Sequence, residues 1–291
     1  MKRRTRPLLT SKRKDYVQAR ASGLLVGEPL HYPAGVADRY REGLDKLVQQ
    51  MMREYRREVA ALWREYAPPI TQDASLASQS ALALTRLKNK FARLFKERAP
   101  ALIDQMLGGV DKASATGLQK SLKELSGGVT LKTDTMPAPL AEIIKATTYE
   151  NVKLITNIPE QTALRIEGAV MRSIQQGGEG RKTILQELER IGGMESRRVK
   201  LIAEDQTRKI TSAMNAERSK ALGITKARWV HSRGGVDKRQ KHVDFDGKIF
   251  DLNDPPPLGD KGEKVLPGFA VNCRCFYVPV IEWGLEDSGG Q

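Results

Sequence analysis

His242, Cys273 and Cys275 are the side chains of this sequence best suited to chemistry. Two cysteines and three histidines occur in 291 residues, and both cysteines and two of the histidines, His231 and His242, fall between Trp229 and Ile281. Cys273 and Cys275 are separated by one residue, so on an extended strand both thiols project to the same side. A loop that carries this strand back to His242 would bring two thiolates and an imidazole together. That is a zinc donor set, with Asp237, Asp246, His231 or water as the fourth ligand. The spacing is C-x-C rather than the usual C-x2-C knuckle, and cysteine also packs as a small apolar side chain. Both readings stand at this point, and no motif demands a cofactor. A hydrolytic alternative is a metal-dependent nuclease or hydrolase centred on His242. Its base would be His242, its orienting acid Asp246 and its phosphate clamp Arg239. No nucleophile motif or carboxylate cluster for magnesium accompanies them, and an Asp-x-Arg sequence more commonly forms a local ion pair and cap. The structural reading is therefore the stronger, and no catalytic residue is assigned.

The elements that must position these residues follow from local pattern. Lys226 to His231 alternates as a strand, with Trp229 and His231 on one side. Ser232 to Gly235 is a turn, and Asp237 can cap the short turn that holds Arg239 and His242. His242 and Asp246, four positions apart, would share one face if that turn is helical. Asp246-Gly247 is a turn signal leading into a second strand at 248–250. Residues 251–266 are rich in Pro, Gly and Asp and form a loop. Pro267-Gly268 then runs into Asn272-Cys273-Arg274-Cys275, and a third strand spans 275–281. A small α+β module with three antiparallel strands thus occupies 224–283, followed by a tail at 284–291.

Upstream the pattern is helical. From Asp38, residues Leu44, Leu47, Met51, Tyr55, Val59, Leu62 and Tyr66 recur at spacings of three and four, and Pro68-Pro69 ends the run. A second helix covers 72–98, with Leu84, Leu87, Phe91 and Leu94 on one face. The short link predicts an antiparallel hairpin. Shorter helices are expected at 101–107 and 111–125. After a linker near 127–137, a block begins at Pro139. Asn157 is placed to cap a further helix, with Pro159 in its first turn and Ala163, Ile166, Val170 and Ile174 inward. A short helix from Arg181 should close at Gly192-Gly193, and a long one should run from Ser196 to Leu222. The resulting plan is an extended arm at 1–36, a helical region at 37–130, a helical middle at 131–223, and the α+β module. The fold class is mainly α with a small C-terminal α+β module.

Charge constrains partners. Lys and Arg number 49 against 35 Asp and Glu, a formal +14 with a pI near 9.8. This balance favours polyanions, either nucleic acid or an acidic protein surface. Arg3, Arg4, Arg6, Lys12, Arg13 and Lys14 crowd the first residues, with Asp15 the only acid among them. A second basic group comprises Arg197, Arg198, Lys200, Arg208 and Lys209. Aromatic residues are only 5% of the chain, too few for a base-stacking platform. No motif reads base edges, so the expected contact is with double-stranded DNA, through phosphates and without sequence preference. There is no secretory signal pattern and no apolar run of membrane-spanning length. Two cysteines one residue apart are no disulfide framework, which suits a reducing compartment.

The run Trp229…Asp237-x-Arg239-x-x-His242-x-x-x-Asp246-Gly247…Pro267-Gly268…Asn272-Cys273-Arg274-Cys275 resembles the C-terminal module of the phage Mu F-like head morphogenesis proteins. The stretch Leu201–Thr207, with Asn215 and Leu222-Gly223-Ile224-Thr225, is similar to the same family. So is Ile158-Pro159-Glu160-Gln161 with Gln175-Gln176-Gly177. The likeness is dense from about 150 to 281. It implies a minor capsid protein of a tailed bacteriophage, acting in head assembly with portal, capsid or scaffold proteins. Such a protein would lie inside the virion head near packaged DNA, and in the host cytoplasm during assembly. Some members carry toxin domains beyond the module. Only residues 282–291 follow Ile281, which predicts no such effector here.

Overall fold

The computed structural model describes residues 24–65, 75–125, 133, 137–175, 181–234 and 238–282. The expected cap Asp237 and the basic residues Arg3 to Lys14 lie outside them. Four long helices dominate: α1 (Ala34–Glu65), α2 (Leu76–Leu125), α3 (Ala138–Gln175) and α4 (Arg181–Ala221). Strands β1 (Leu24–Val26), β2 (Lys226–Val230), β3 (Ile249–Asp251) and β4 (Phe276–Glu282) form one sheet, and a single turn of helix, α5 (Gln240–Asp244), sits between β2 and β3. The described residues divide into two compact units. One comprises 34–109 and 144–207. The other comprises 24–33, 110–143 and 208–282. Each is assembled from separated stretches of chain, which linear composition does not reveal.

The helical unit bears out the expected hairpin. Leu44, Leu47, Met51, Tyr55, Val59 and Leu62 of α1 are buried, as are Leu84, Leu87 and Phe91 of α2. Tyr55 stacks on Phe91 with ring centroids 6.1 Å apart. Glu58 pairs with Arg86 and Glu54 with Lys90, so the partner number falls as the residue number rises, as antiparallel helices require. Burial also stabilises polar links here. The Tyr40 hydroxyl donates to Asn151 Oδ1 at 2.8 Å, and Asn151 Nδ2 donates to Gln206 Oε1 at 3.0 Å. Gln206 Nε2 donates in turn to Glu150 at 3.1 Å. Buried amides bonded on several sides fix helix register, since an unmet partner would cost about 1–3 kcal/mol.

Helix lengths differ from the sequence expectation in one consistent way. Pro100 lies within α2, Pro159 within α3, and Gly192-Gly193 within α4, and none of them ends a helix. An internal proline costs about 3 kcal/mol and a glycine about 1. Burying one large apolar side chain returns roughly 1.5–3 kcal/mol. Ala99 and Ile103 flank Pro100, Ile155, Ile158 and Ile166 surround Pro159, and Leu188, Ile191 and Val199 bracket the glycines; all are buried. Packing therefore outweighs local propensity. Asn157 is no cap: its Oδ1 accepts from Arg198 at 2.7 Å. Just past Gly193, the fully buried Glu195 meets both Arg165 and Arg198.

The sheet unit has four antiparallel strands in the order β1-β4-β2-β3, one more than expected. The extra strand comes from the segment read as an extended arm, where Leu24, Leu25 and Val26 face Glu282, Ile281 and Val280. Three residues are too few to register as a period-two pattern, and the pairing partner lies at the far end of the chain. In β2 and β4, Trp229 lies opposite Tyr277. Trp229 is fully buried, with Leu118, Leu122, Phe250, Tyr277, Cys273 and Cys275 in the same core. β2 enters directly from α4, which closes with bonds from Gly223 to Lys220 and from Ile224 to Ser219.

Two adjacent glycines of α2 test this packing account. A Cβ at Gly108 would meet nothing within 4 Å, whereas one at Gly109 would come within 2.9 Å of Val36. Gly108→Ala should stabilise by about 0.5–1 kcal/mol through helix propensity. Gly109→Ala should be neutral or destabilising by about 1–3 kcal/mol. Chemical denaturation of the two variants checks the difference; a Gly109→Ala chain stabilised as much as Gly108→Ala would contradict it.

Candidate functional site

The sheet unit converges on His242. Its own helix, α5, starts at Arg239, whose extended backbone takes the N-cap position without a side-chain cap bond. One turn suffices to turn the imidazole inward, and His242 is 2% exposed. Nε2 lies 3.0 Å from the Leu258 carbonyl. On the other side of the ring, Nδ1 lies 3.4 Å from Cys273 Sγ and 3.6 Å from Cys275 Sγ. All three donor atoms fall within 4.8 Å of one another. Trp229 meets the imidazole edge-on at 5.2 Å and is itself held by Phe245 and Phe250.

The cysteines reach this position through a loop with two left-handed residues. Gly268 has φ +87°, and an added Cβ would lie 3.3 Å from the Cys275 carbonyl. Asn272 has φ +58°, a conformation asparagine tolerates better than most side chains. The Cys273 amide donates back to Ala270, closing the turn. Both cysteines are then buried while Arg274 between them is exposed. Pro267-Gly268 and Asn272 are thus explained by backbone geometry rather than by side-chain chemistry.

Arg239 clamps the same loop from outside. Its guanidinium donates to both carboxylate oxygens of Asp260, at 2.7 and 3.1 Å, and to the Val271 carbonyl at 3.0 Å. The bond to Asp260 holds Arg239 above its ordinary pKa and Asp260 below its own. Asp246 accepts from the His231 amide at 2.9 Å, extending the ladder past β2. Gly247, at φ +79°, donates to the Trp229 carbonyl and lets the chain return into β3. Asp246 is therefore engaged with the backbone and with Arg233. It does not orient His242, whose Nε2 is taken by Leu258.

The two thiols are electrostatically unequal. The hydrogen bond from Cys275 pulls the Cys273 thiol well below its usual range, and His242 adds to this against the cost of burial. The same bond, with burial and the neighbouring negative charge, pushes Cys275 up. The contact with Cys273 in turn raises His242. Backbone amides point at both sulfurs, those of Cys275 and Gly268 at Cys273 and that of Ser232 at Cys275. The Trp229 indole N–H has no conventional acceptor and favours a thiolate at Cys275. Such a pocket holds negative charge on sulfur, and its donors suit a soft or borderline cation.

The basic residues distribute differently. Arg197 and Lys200 are exposed, and Lys209 is half-buried. Arg198 is engaged with Glu195 and Asn157. Arg208 corrects the sequence expectation of a phosphate contact: it is buried, with its guanidinium 4.5 Å over the Tyr32 ring. Its helical position gave no hint of this, because Tyr32 lies far off in sequence. Leu258, Asp260 and the amides of Ser232 and Gly268 also escaped sequence reasoning as participants. A carbonyl or an amide carries no residue-type signature, and an acid in a loop has none that points to a distant arginine.

Fold and site together define an α+β module with a buried His-Cys-Cys centre, carried on long helices. Residues 165–278 match the family described as "Phage Mu protein F like protein", and over that segment the chain is similar to it. A protein of Haemophilus influenzae (strain ATCC 51907 / DSM 11121 / KW20 / Rd), described only as uncharacterized, is 27% identical over 248 residues. The match covers 84% of this chain and 53% of the relative, so the chain spans about half the length of the relative it matches. No solved structure matches.

Gly268→Ala tests the loop geometry. Left-handed strain and the close Cys275 carbonyl should cost about 1–3 kcal/mol. Both cysteines should also react faster with a thiol reagent, measured by absorbance under native conditions. Unchanged stability and reactivity would contradict this account of the turn.

Proposed function

We propose that this chain is a minor head protein of a tailed bacteriophage. It acts in procapsid and head assembly, associates with the portal, and contacts packaged DNA without reading its sequence. The match of residues 165–278 to the Mu F-like family carries this reading and points to a head-related role. The formal charge of +14 supports the DNA contact, since a protein held beside dense DNA meets a polyanion on all sides. Arg197 and Lys200, with Arg3, Arg4, Arg6, Lys12, Arg13 and Lys14, are the side chains proposed to neutralise phosphates. None of the described helices is long and apolar enough to cross a membrane, which fits a place inside the head.

The hydrolytic alternative finds less support. His242 is buried and its two ring nitrogens face a carbonyl and two sulfurs, which leaves no nitrogen to take a proton from a substrate. A non-catalytic assembly role uses the site as a brace within the module.

Two measurements test the proposal. Duplexes of unrelated sequence should bind with equal affinity, and log K should fall linearly with log salt. Between 50 and 200 mM salt the loss should be on the order of a hundredfold or more if several phosphates are neutralised. Replacing Arg3, Arg4, Arg6, Lys12, Arg13 and Lys14 by Ala should flatten the slope. A flat dependence for the unaltered chain would refute the DNA contact. In infected or induced cells the chain should sediment with heads and co-precipitate with portal protein; its recovery only as free protein would refute the assembly role.

A further inference from the structure

The surroundings of His242 decide which of its nitrogens is protonated. The Leu258 carbonyl can only accept, so the proton of the neutral ring belongs on Nε2. Nδ1 then carries an in-plane lone pair, and this faces both Cys273 Sγ and Cys275 Sγ at nearly equal distances, 3.4 and 3.6 Å. One hydrogen bond explains one of these contacts but not both, since Nδ1 exchanges a single proton. Metal-bound histidines characteristically donate their other ring N–H to a carbonyl or carboxylate, which fixes the ring for coordination. The Leu258 contact has that form.

The distances also have the right magnitude. With a Zn–N bond near 2.05 Å and a Zn–S bond near 2.3 Å, a tetrahedral angle separates nitrogen from sulfur by about 3.5 Å. The two observed separations bracket that value. We propose that His242 Nδ1, Cys273 Sγ and Cys275 Sγ bind one Zn2+ that braces the sheet unit from within. Two thiolates, a neutral imidazole and a dication sum to zero charge, so the buried ensemble avoids the cost of an unpaired ion. The amides of Gly268, Cys275 and Ser232 supply N–H donors to the sulfurs, a pattern that thiolates use and packing thiols do not need. Among the described residues no fourth Cys, His, Asp or Glu joins the cluster, so these three side chains are the ligands the proposal names. All three ligands are buried, which assigns the ion a structural part. Zinc would tie α5 to the segment preceding β4, joining stretches that are otherwise linked by Arg239 and Asp260.

This inference stands apart from the head-assembly role, and its test uses the full chain purified under reducing conditions. Elemental mass spectrometry should find about one zinc per chain, falling at least tenfold in His242→Gln and in Cys273→Ser. His231→Gln, outside the cluster, should retain the ion. Removing zinc with a chelator should lower the melting temperature, and adding cobalt to the stripped wild-type chain should give thiolate-to-cobalt charge transfer and tetrahedral ligand-field bands. The cobalt spectrum needs no variant, so it decides the matter even if Cys273→Ser fails to fold. A reduced wild-type chain with no zinc and no cobalt spectrum would overturn the proposal, as would full zinc retention in Cys273→Ser.

Discussion

The sheet unit depends on the orientation of one imidazole. With Nε2 against the Leu258 carbonyl, Nδ1 can face only the two sulfurs, and the ring becomes the link between α5 and the segment leading into β4. Leu258 belongs to a long loop with little regular structure, which by itself would have many conformations to lose on folding. The loop is ordered because it is held at several points: Leu252 on Thr225, Leu258 on His242, Asp260 on Arg239, and Cys273 beneath the Trp229 core. Removing any one contact leaves the others; His242 reaches both ends of the loop from inside, and Arg239 does so from outside through Asp260 and Val271.

A buried centre of this kind has a cost that explains its motif. The hydrogen bond between Cys273 and Cys275 pulls the first thiol down and pushes the second up, and burial works against charge on both. Charge on sulfur is sustained by amide donors, and the amides are delivered by backbone that only certain residues adopt. Gly268 and Asn272 with positive φ are therefore as necessary as the cysteines. Trp229 packs against the imidazole from the sheet side, and the low-dielectric surroundings strengthen the electrostatic terms inside.

Much of this was legible in the sequence, and the limits were physical. The scarcity of His and Cys, and their grouping after Trp229, raised the meeting of His242, Cys273 and Cys275 as one of two readings, and the structure brings the three together. The burial of both cysteines with Arg274 exposed between them has the alternation expected of an extended segment, although these residues precede β4 rather than lie in it. The heptad-like spacing in α1 and the first half of α2 predicted the hairpin that the Glu54–Lys90 and Glu58–Arg86 pairs show. Local breakers misled where tertiary burial was large, at Pro100, Pro159 and Gly192-Gly193. Strand β1 was missed because its partner lies at the opposite end of the chain, and Arg208 because its stacking partner Tyr32 is equally remote in sequence. The resemblance to the Mu F-like family was carried by order and spacing of the motif, and the family match over 165–278 agrees with it.

Hydrogen exchange on the Cys273→Ala, Cys275→Ala double variant tests the central claim most directly. If the sulfur–imidazole contacts hold the module together, amides of Ser232, Gly268 and Cys275 should lose protection along with β2 and β4. Amides in the helical unit at 34–109, which has its own core, should exchange as in the unaltered chain. Unchanged protection across 226–282 would contradict the account, leaving the two cysteines as ordinary packing residues.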